Sequence, residues 1–294
     1  MTQTYFLGAN SREGFASLYR FFPGVEAAFL HIIKGGPGTG KSGFMRRIGL
    51  AAEERGLDVH YVLCSGDPGS LDGVYIPALH LAWVDGTAPH AAEPHIFGVD
   101  SDYVNLGVFC RTPFREIDRA KLSELTGRYK RLYADVYRAL AQVQRVETDA
   151  PHPDAFPELP TARVQPVIPA QRFLHALSCE GEIFLWSEVK KLCKLIEPVS
   201  PAALRQLSDE LTRRGLPALR CPSPLDPGEL ELVLLPWADR GYAAAVAYQG
   251  LAPALDKLRA AKALHDEMEA LVRPYMDFTA LTDYTEAALR TLFG

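Results

Sequence analysis

Apolar positions along the chain change rhythm at a small number of places. Phe29-Leu-His-Ile-Ile-Lys34 is a short apolar run bounded by turn residues, which predicts a buried strand. It runs into Gly35-Gly-Pro-Gly-Thr-Gly-Lys-Ser42. Beyond this, Phe44, Ile48 and Ala51 or Ala52 recur at helical spacing until Arg55 and Gly56 supply a stop signal. A second strand is expected over Val59–Cys64 and a third over Leu79–Val84, each closing on polar turn residues. Between Ile117 and Val143, and again between Leu255 and Tyr275, the pattern predicts long amphipathic helices. The polar face of the first, with Arg128, Lys130 and Arg131, reads as solvated. Strands separated by helices and ending in loops imply an α/β fold with a mainly parallel sheet and its site at the strands' C-terminal ends.

Six prolines between residues 151 and 169 preclude a helix or a central strand there and predict an extended linker. The chain therefore divides into residues 1–150, a linker 151–169, and residues 170–294. The second part repeats the first. Phe6, Leu7, Ala9, Ser11, Glu13 and Gly14 match Phe173, Leu174, Ala176, Ser178, Glu180 and Gly181, an offset of 167. Arg55-Gly-Leu57, Asp67-Pro-Gly69, Val74 and Pro77 match Arg214-Gly-Leu216, Asp226-Pro-Gly228, Val233 and Pro236, an offset of 159. The offset falls where the first part carries its glycine-rich run, and Glu182–Leu207 contains no such turn. An internal duplication with a degenerate second loop is expected.

Composition adds boundaries. A chain of 294 residues, 48% apolar, can bury a substantial core without disulfides. Its five scattered cysteines have no metal-ligand spacing and read as small hydrophobes in a reducing compartment. The start lacks the features of a secretory signal, and no run reaches the ~20 apolar residues of a membrane span. A cytoplasmic protein with no membrane partner is expected. The net charge of −5, with both signs mixed along the chain, gives no general nucleic-acid footprint.

The chemistry concentrates at Gly35, Gly36, Pro37, Gly38, Thr39, Gly40, Lys41, Ser42 and Gly43, which satisfy the P-loop pattern between a strand and a helix. Glycines let backbone N–H groups converge on phosphate oxygens, and the helix N-terminus adds partial positive charge. Lys41 would reach the β- and γ-phosphates. The Ser42 hydroxyl would ligate Mg²⁺, with Asp85, after the third strand, as the acid beside it. Gly86 follows Asp85, so the adjacent glutamate of fast ATPases is missing. Asp67 and Asp72 are candidates for orienting water or acting as a base. Arg111, Arg115 and Arg119 are weighed as cations closing on the phosphate but read better as surface residues. His90 and His95 read as loop histidines rather than metal ligands.

Taken together, Lys34–Ser42, Cys64–Gly73, Ile76-Pro77 and Val84–His90, with Lys262–Glu267 and Tyr275–Phe278, resemble a family of uncharacterised bacterial ATPases with tandem P-loop repeats. The resemblance implies ATP binding, by default over GTP, with Mg²⁺. The expectation is a slow ATPase or nucleotide-dependent switch, with Lys41, Asp85 and Asp67 as catalytic candidates. A small-molecule kinase and a non-catalytic scaffold holding a protein or nucleic-acid partner are the alternatives.

Overall fold

The computed structural model describes residues 1–24, 28–88, 92–150 and 170–294; the proline-rich segment 151–169 lies outside the described residues. The first half runs β1 (Gln3–Phe6), the hairpin β2 (Gly8–Ser11) and β3 (Gly14–Ser17), β4 (Phe29–Lys34), α1 (Lys41–Glu53), β5 (His60–Leu63), β6 (Leu71–Ile76), β7 (Leu81–Asp85), β8 (Ser101–Asn105), α2 (Glu116–Leu140) and β9 (Gln144–Glu147). The second runs β10 (His175–Ser178), β11 (Gly181–Phe184), α3 (Trp186–Leu192), β12 (Leu195–Val199), α4 (Pro201–Arg213), β13 (Leu219–Pro222), β14 (Leu230–Leu235), β15 (Arg240–Ala244), β16 (Val246–Gln249), α5 (Ala252–Val272) and α6 (Phe278–Phe293).

The architecture is mixed α/β. Six strands form one sheet in the order β1-β5-β6-β7-β4-β8. The pairs β1–β5, β4–β7 and β4–β8 are parallel, whereas β5–β6 and β6–β7 are antiparallel. The expectation of helices between successive strands therefore fails in the middle of the sheet. The turns from β5 to β6 and from β6 to β7 are too short for a parallel crossover, so the chain folds back as a meander. Asp72, expected in a loop, lies inside β6.

A second sheet has the order β12-β15-β14-β13, parallel at β12–β15 and antiparallel at its other two pairings. That is the order and direction of β4-β7-β6-β5. The correspondence extends to single contacts. Ser11 Oγ donates to Gly14 O at 2.7 Å and accepts from Glu13 N; Ser178 Oγ donates to Gly181 O at 3.1 Å and accepts from Glu180 N. His80 and Asp239, at equivalent turns, both have φ of 52°. The difference lies after the first strand of each set. Residues 35–40 separate β4 from α1, but only Ser200 separates β12 from α4.

The halves are joined by a backbone bridge. Phe6 N donates to Phe173 O and Phe173 N to Phe6 O, each at 2.9 Å, and both rings are fully buried with Ala9 and Ala176. The main core is also continuous across the halves, joining Tyr5, Leu7, Ile32 and Val84 to Leu174, Leu219, Leu232 and Leu234. Removing each such side chain from water contributes about 1.5–3 kcal/mol.

The C-terminal helices return to the first half. Val136, Leu140 and Val143 pack on Leu251, Ala254 and Leu258 at one end of the α2–α5 pair, while Thr126 reaches Met268 at the other, so the two helices run antiparallel. Val272, Met276 and Leu281 join the core formed by Ile33, Phe44 and Ile48. No helix among the described residues is long and apolar enough to cross a membrane. Cys193 and Cys221 are buried and the other three cysteines are half-buried, all as free thiols.

Candidate functional site

The glycine-rich run connects the C-terminal end of β4 to the start of α1. Ile32 and Ile33 are fully buried, which fixes the end of β4, and Phe44, Met45 and Ile48 bury one face of α1. The loop between them is thereby held at both ends. Gly38 and Gly40 adopt φ of 74° and 86°, a region that side chains other than glycine enter at a cost. Thr39 is buried and its hydroxyl donates to Gly36 O at 2.8 Å, closing the loop on itself. Gly40 is the N-cap of α1 and supplies no side-chain cap, so the first N–H groups of the helix face the loop without one.

Lys41 Nζ donates to Gly35 O at 2.9 Å and Gly36 O at 3.1 Å and lies 3.6 Å from Asp85 Oδ2. Asp85 ends β7, the parallel neighbour of β4, with Ile33 opposite Asp85 in the register. Two strands running the same way deliver the loop and the acid to one edge of the sheet. Asp85 is held by Thr87, whose N–H and hydroxyl donate to Oδ1 at 2.8 and 2.6 Å. A Cβ on Gly86 would lie 2.3 Å from Ile32 Cγ2, which accounts sterically for the absence of a larger residue after Asp85.

Ser42 Oγ accepts from Leu71 N at 2.9 Å, and Gly69 O accepts from Arg46 at 2.7 Å, so the β5–β6 turn leans on the start of α1. Asp67 in that turn accepts from Ser70 Oγ at 3.0 Å and lies 3.5 Å from Lys262 Nζ on α5. Asp72 is buried and accepts from the Tyr19 hydroxyl at 2.8 Å. Burial, with the Asp72 carboxylate beside it, pushes the Tyr19 hydroxyl well above its ordinary range, and the same two causes raise the Cys64 thiol.

The arginines weighed for phosphate contact go elsewhere. Arg111 donates to Pro274 O at 3.0 Å, Arg115 pairs with Asp118 at 2.6 Å beside Tyr275, and Arg119 is exposed. His95 pairs with Asp100 at 3.0 Å, and His90 lies outside the described residues.

Sequence reasoning missed the contribution of α5 and α6. Gly38 N donates to Glu269 Oε1 at 3.3 Å, and a Cβ on Gly38 would lie 3.1 Å from Glu269 Cα and O. One on Gly40 would lie 2.8 Å from Leu281 Cδ2. His265, Asp266 and Glu269 bring one ligand atom each within 4.8 Å of one another, with Lys262 paired to Asp266. Nothing near Gly38 in sequence signals a partner 231 residues away. Glu269 even lies two residues beyond the Lys262–Glu267 stretch that carries part of the family resemblance.

Chemically, the arrangement offers backbone donors, a lysine and a helix N-terminus on one side, with a serine hydroxyl and an aspartate nearby. Such a set suits a phosphorylated ligand and a divalent cation. Ser42 and Asp85 are the residues that would hold the cation. Comparison with known protein-family models, with curated proteins and with solved structures returns no match.

Proposed function

We propose that the chain binds a nucleoside triphosphate, ATP by default, with Mg²⁺ at Gly35–Gly43, and acts as a slow ATPase or nucleotide-dependent switch. The observation that carries this reading is the approach of Lys41, at the start of α1, to Asp85 at the end of the neighbouring parallel strand, 3.6 Å away. The cation for the terminal phosphates and the acid for the metal thus share one strand edge, as phosphoryl chemistry requires. With Gly86 wedged against Ile32, no carboxylate adjoins Asp85 to activate water, which supports slow turnover. A kinase would need Asp67 or Asp72 as its base. Asp67 is tied to Lys262 and Asp72 is buried against Tyr19, so hydrolysis or switching is the better reading.

We also infer that the two halves descend from one duplicated P-loop unit and that the second has lost its nucleotide loop. Matching strand order, matching turns and the reciprocal Phe6–Phe173 pairing support the duplication. Ser200 caps α4 by accepting from Ala203 N at 3.2 Å, with Pro201 at the first helical position. Where the first unit leaves helix donors toward a glycine loop, the second consumes them locally. One nucleotide per chain follows, and a cytoplasmic location accords with this reading.

Calorimetric titration of Mg-ATP and Mg-GTP into the wild type and Lys41→Ala, followed by phosphate release, tests the proposal. One site per chain is expected, with affinity or turnover reduced at least about tenfold in the variant, since a charge-assisted contact contributes on the order of 1.5–3 kcal/mol. Undiminished turnover in Lys41→Ala overturns the ATPase reading, and binding without release leaves a scaffold.

A further inference from the structure

Part of the glycine loop is already engaged by the chain's own groups. Lys41 is folded onto Gly35 O and Gly36 O, and Glu269 Oε1 accepts from Gly38 N at 3.3 Å. A backbone N–H in a phosphate-binding loop has one direction in which to donate, and an anion already stands in it. The helix that brings this carboxylate is firmly seated. Leu258 packs on α2 and Val272 joins the core beneath α1, so α5 presents Glu269 to the loop along a fixed line. The side chain itself is not locked, because 45% of it is exposed. Rotating it away from Gly38 returns a carboxylate to water without breaking the packing of the helix.

Resting on the nucleotide reading, we infer that Glu269 gates the loop: its carboxylate and a nucleotide phosphate compete for the Gly38 N–H. Two anions cannot share that donor at hydrogen-bond distance without strong repulsion. Binding therefore requires Glu269 to swing out and Lys41 to unfold from the loop carbonyls toward the ligand. His265 Nδ1 lies 3.8 Å from Glu269 Oε1 in the seated position, while Lys262 is already engaged by Asp67 and Asp266. The gate belongs to the second half and the loop to the first. Occupancy of the nucleotide site is thereby coupled to the rotamer of one side chain on α5.

The test is titration of Mg-ATP into the full chain as wild type, Glu269→Ala and Glu269→Gln, with circular dichroism verifying the fold of each. Alanine removes the competing acceptor while favouring the helix; glutamine keeps the volume and a weaker, uncharged acceptor. The expected result is affinity about 3- to 10-fold tighter in Glu269→Ala, the size of one hydrogen bond, with Glu269→Gln between it and the wild type. Equal or weaker binding by Glu269→Ala, while the wild type binds, overturns the gate and leaves the nucleotide site standing. Absence of binding in the wild type and in both folded variants overturns the nucleotide site and the gate with it.

Discussion

At the scale of single residues, the site depends on where a Cβ fits. Gly86 separates Asp85 from Thr87, the residue that fixes the Asp85 carboxylate by two hydrogen bonds. Its Cα faces Ile32, a fully buried side chain on the strand that delivers the glycine loop. In Gly86→Ala the added carbon would stand 2.3 Å from Ile32 Cγ2 and 3.3 Å from Ile33 O, so β4 and β7 must separate or Ile32 must leave its rotamer. Overpacking of this kind costs about 1–3 kcal/mol. The variant is expected to have a lower urea midpoint and weaker Mg-ATP binding. An unchanged midpoint would mean that β4 yields more easily than its burial indicates. This residue was partly legible: the sequence places a glycine after the acid and excludes the adjacent glutamate, but the steric cause lies on another strand.

At the scale of elements, the second half contains a charged cluster that joins four strands. His175 on β10 lies 3.0 Å from Glu231 on β14 through Nδ1 and 3.2 Å from Glu182 on β11 through Nε2. Tyr248 on β16 donates to Glu231 at 3.1 Å and stacks on the histidine ring. Burial opposes charge on the ring, but the two carboxylates outweigh it and hold the His175 pKa up at about 9. Since the folded value exceeds the unfolded one of about 6.5, the contribution is fully present below pH 6.5 and is lost as pH rises through 9. Denaturant titrations at pH 6 and pH 9.5 are therefore expected to differ by on the order of 1–3 kcal/mol. Glu182 is part-exposed, which places the effect toward the lower end. In His175→Gln that difference should shrink; if it persists in full, other groups carry the pH dependence. No sequence motif announces the cluster, because its members are spread over 74 positions and meet only through strand pairing.

At the scale of the whole molecule, the two halves share a core. Phe6 and Phe173 pair across their junction, the main core mixes residues of both, and α5 and α6 seal the first half. Separating the halves would expose the faces of β1, β2, β10 and α2 that now pack together. A single cooperative transition is expected in scanning calorimetry of the full chain, and residues 1–150 expressed alone are expected to lack one. Two resolved transitions, or a cooperative melt of the fragment, would show that the halves are independent domains. The boundaries read from the prolines mark a division in sequence, while core clusters draw side chains from both sides of it.

Local structure was readable because its requirements are local. The alternation of apolar residues and glycines dictated β4, the glycine loop, α1 and the two long helices, and the acid after an apolar run pointed to Asp85. Repeated turn residues likewise exposed the correspondence between the halves, since a turn's geometry is encoded within a few positions. Pairing direction was not readable: the same apolar run serves a parallel or an antiparallel strand, and only assembly turned β5, β6 and β7 into a meander. The cover on the loop belongs to the same class. Glu269 meets Gly38 from 231 positions away because α5 packs antiparallel to α2, and that packing is set by the whole core rather than by any segment of the chain.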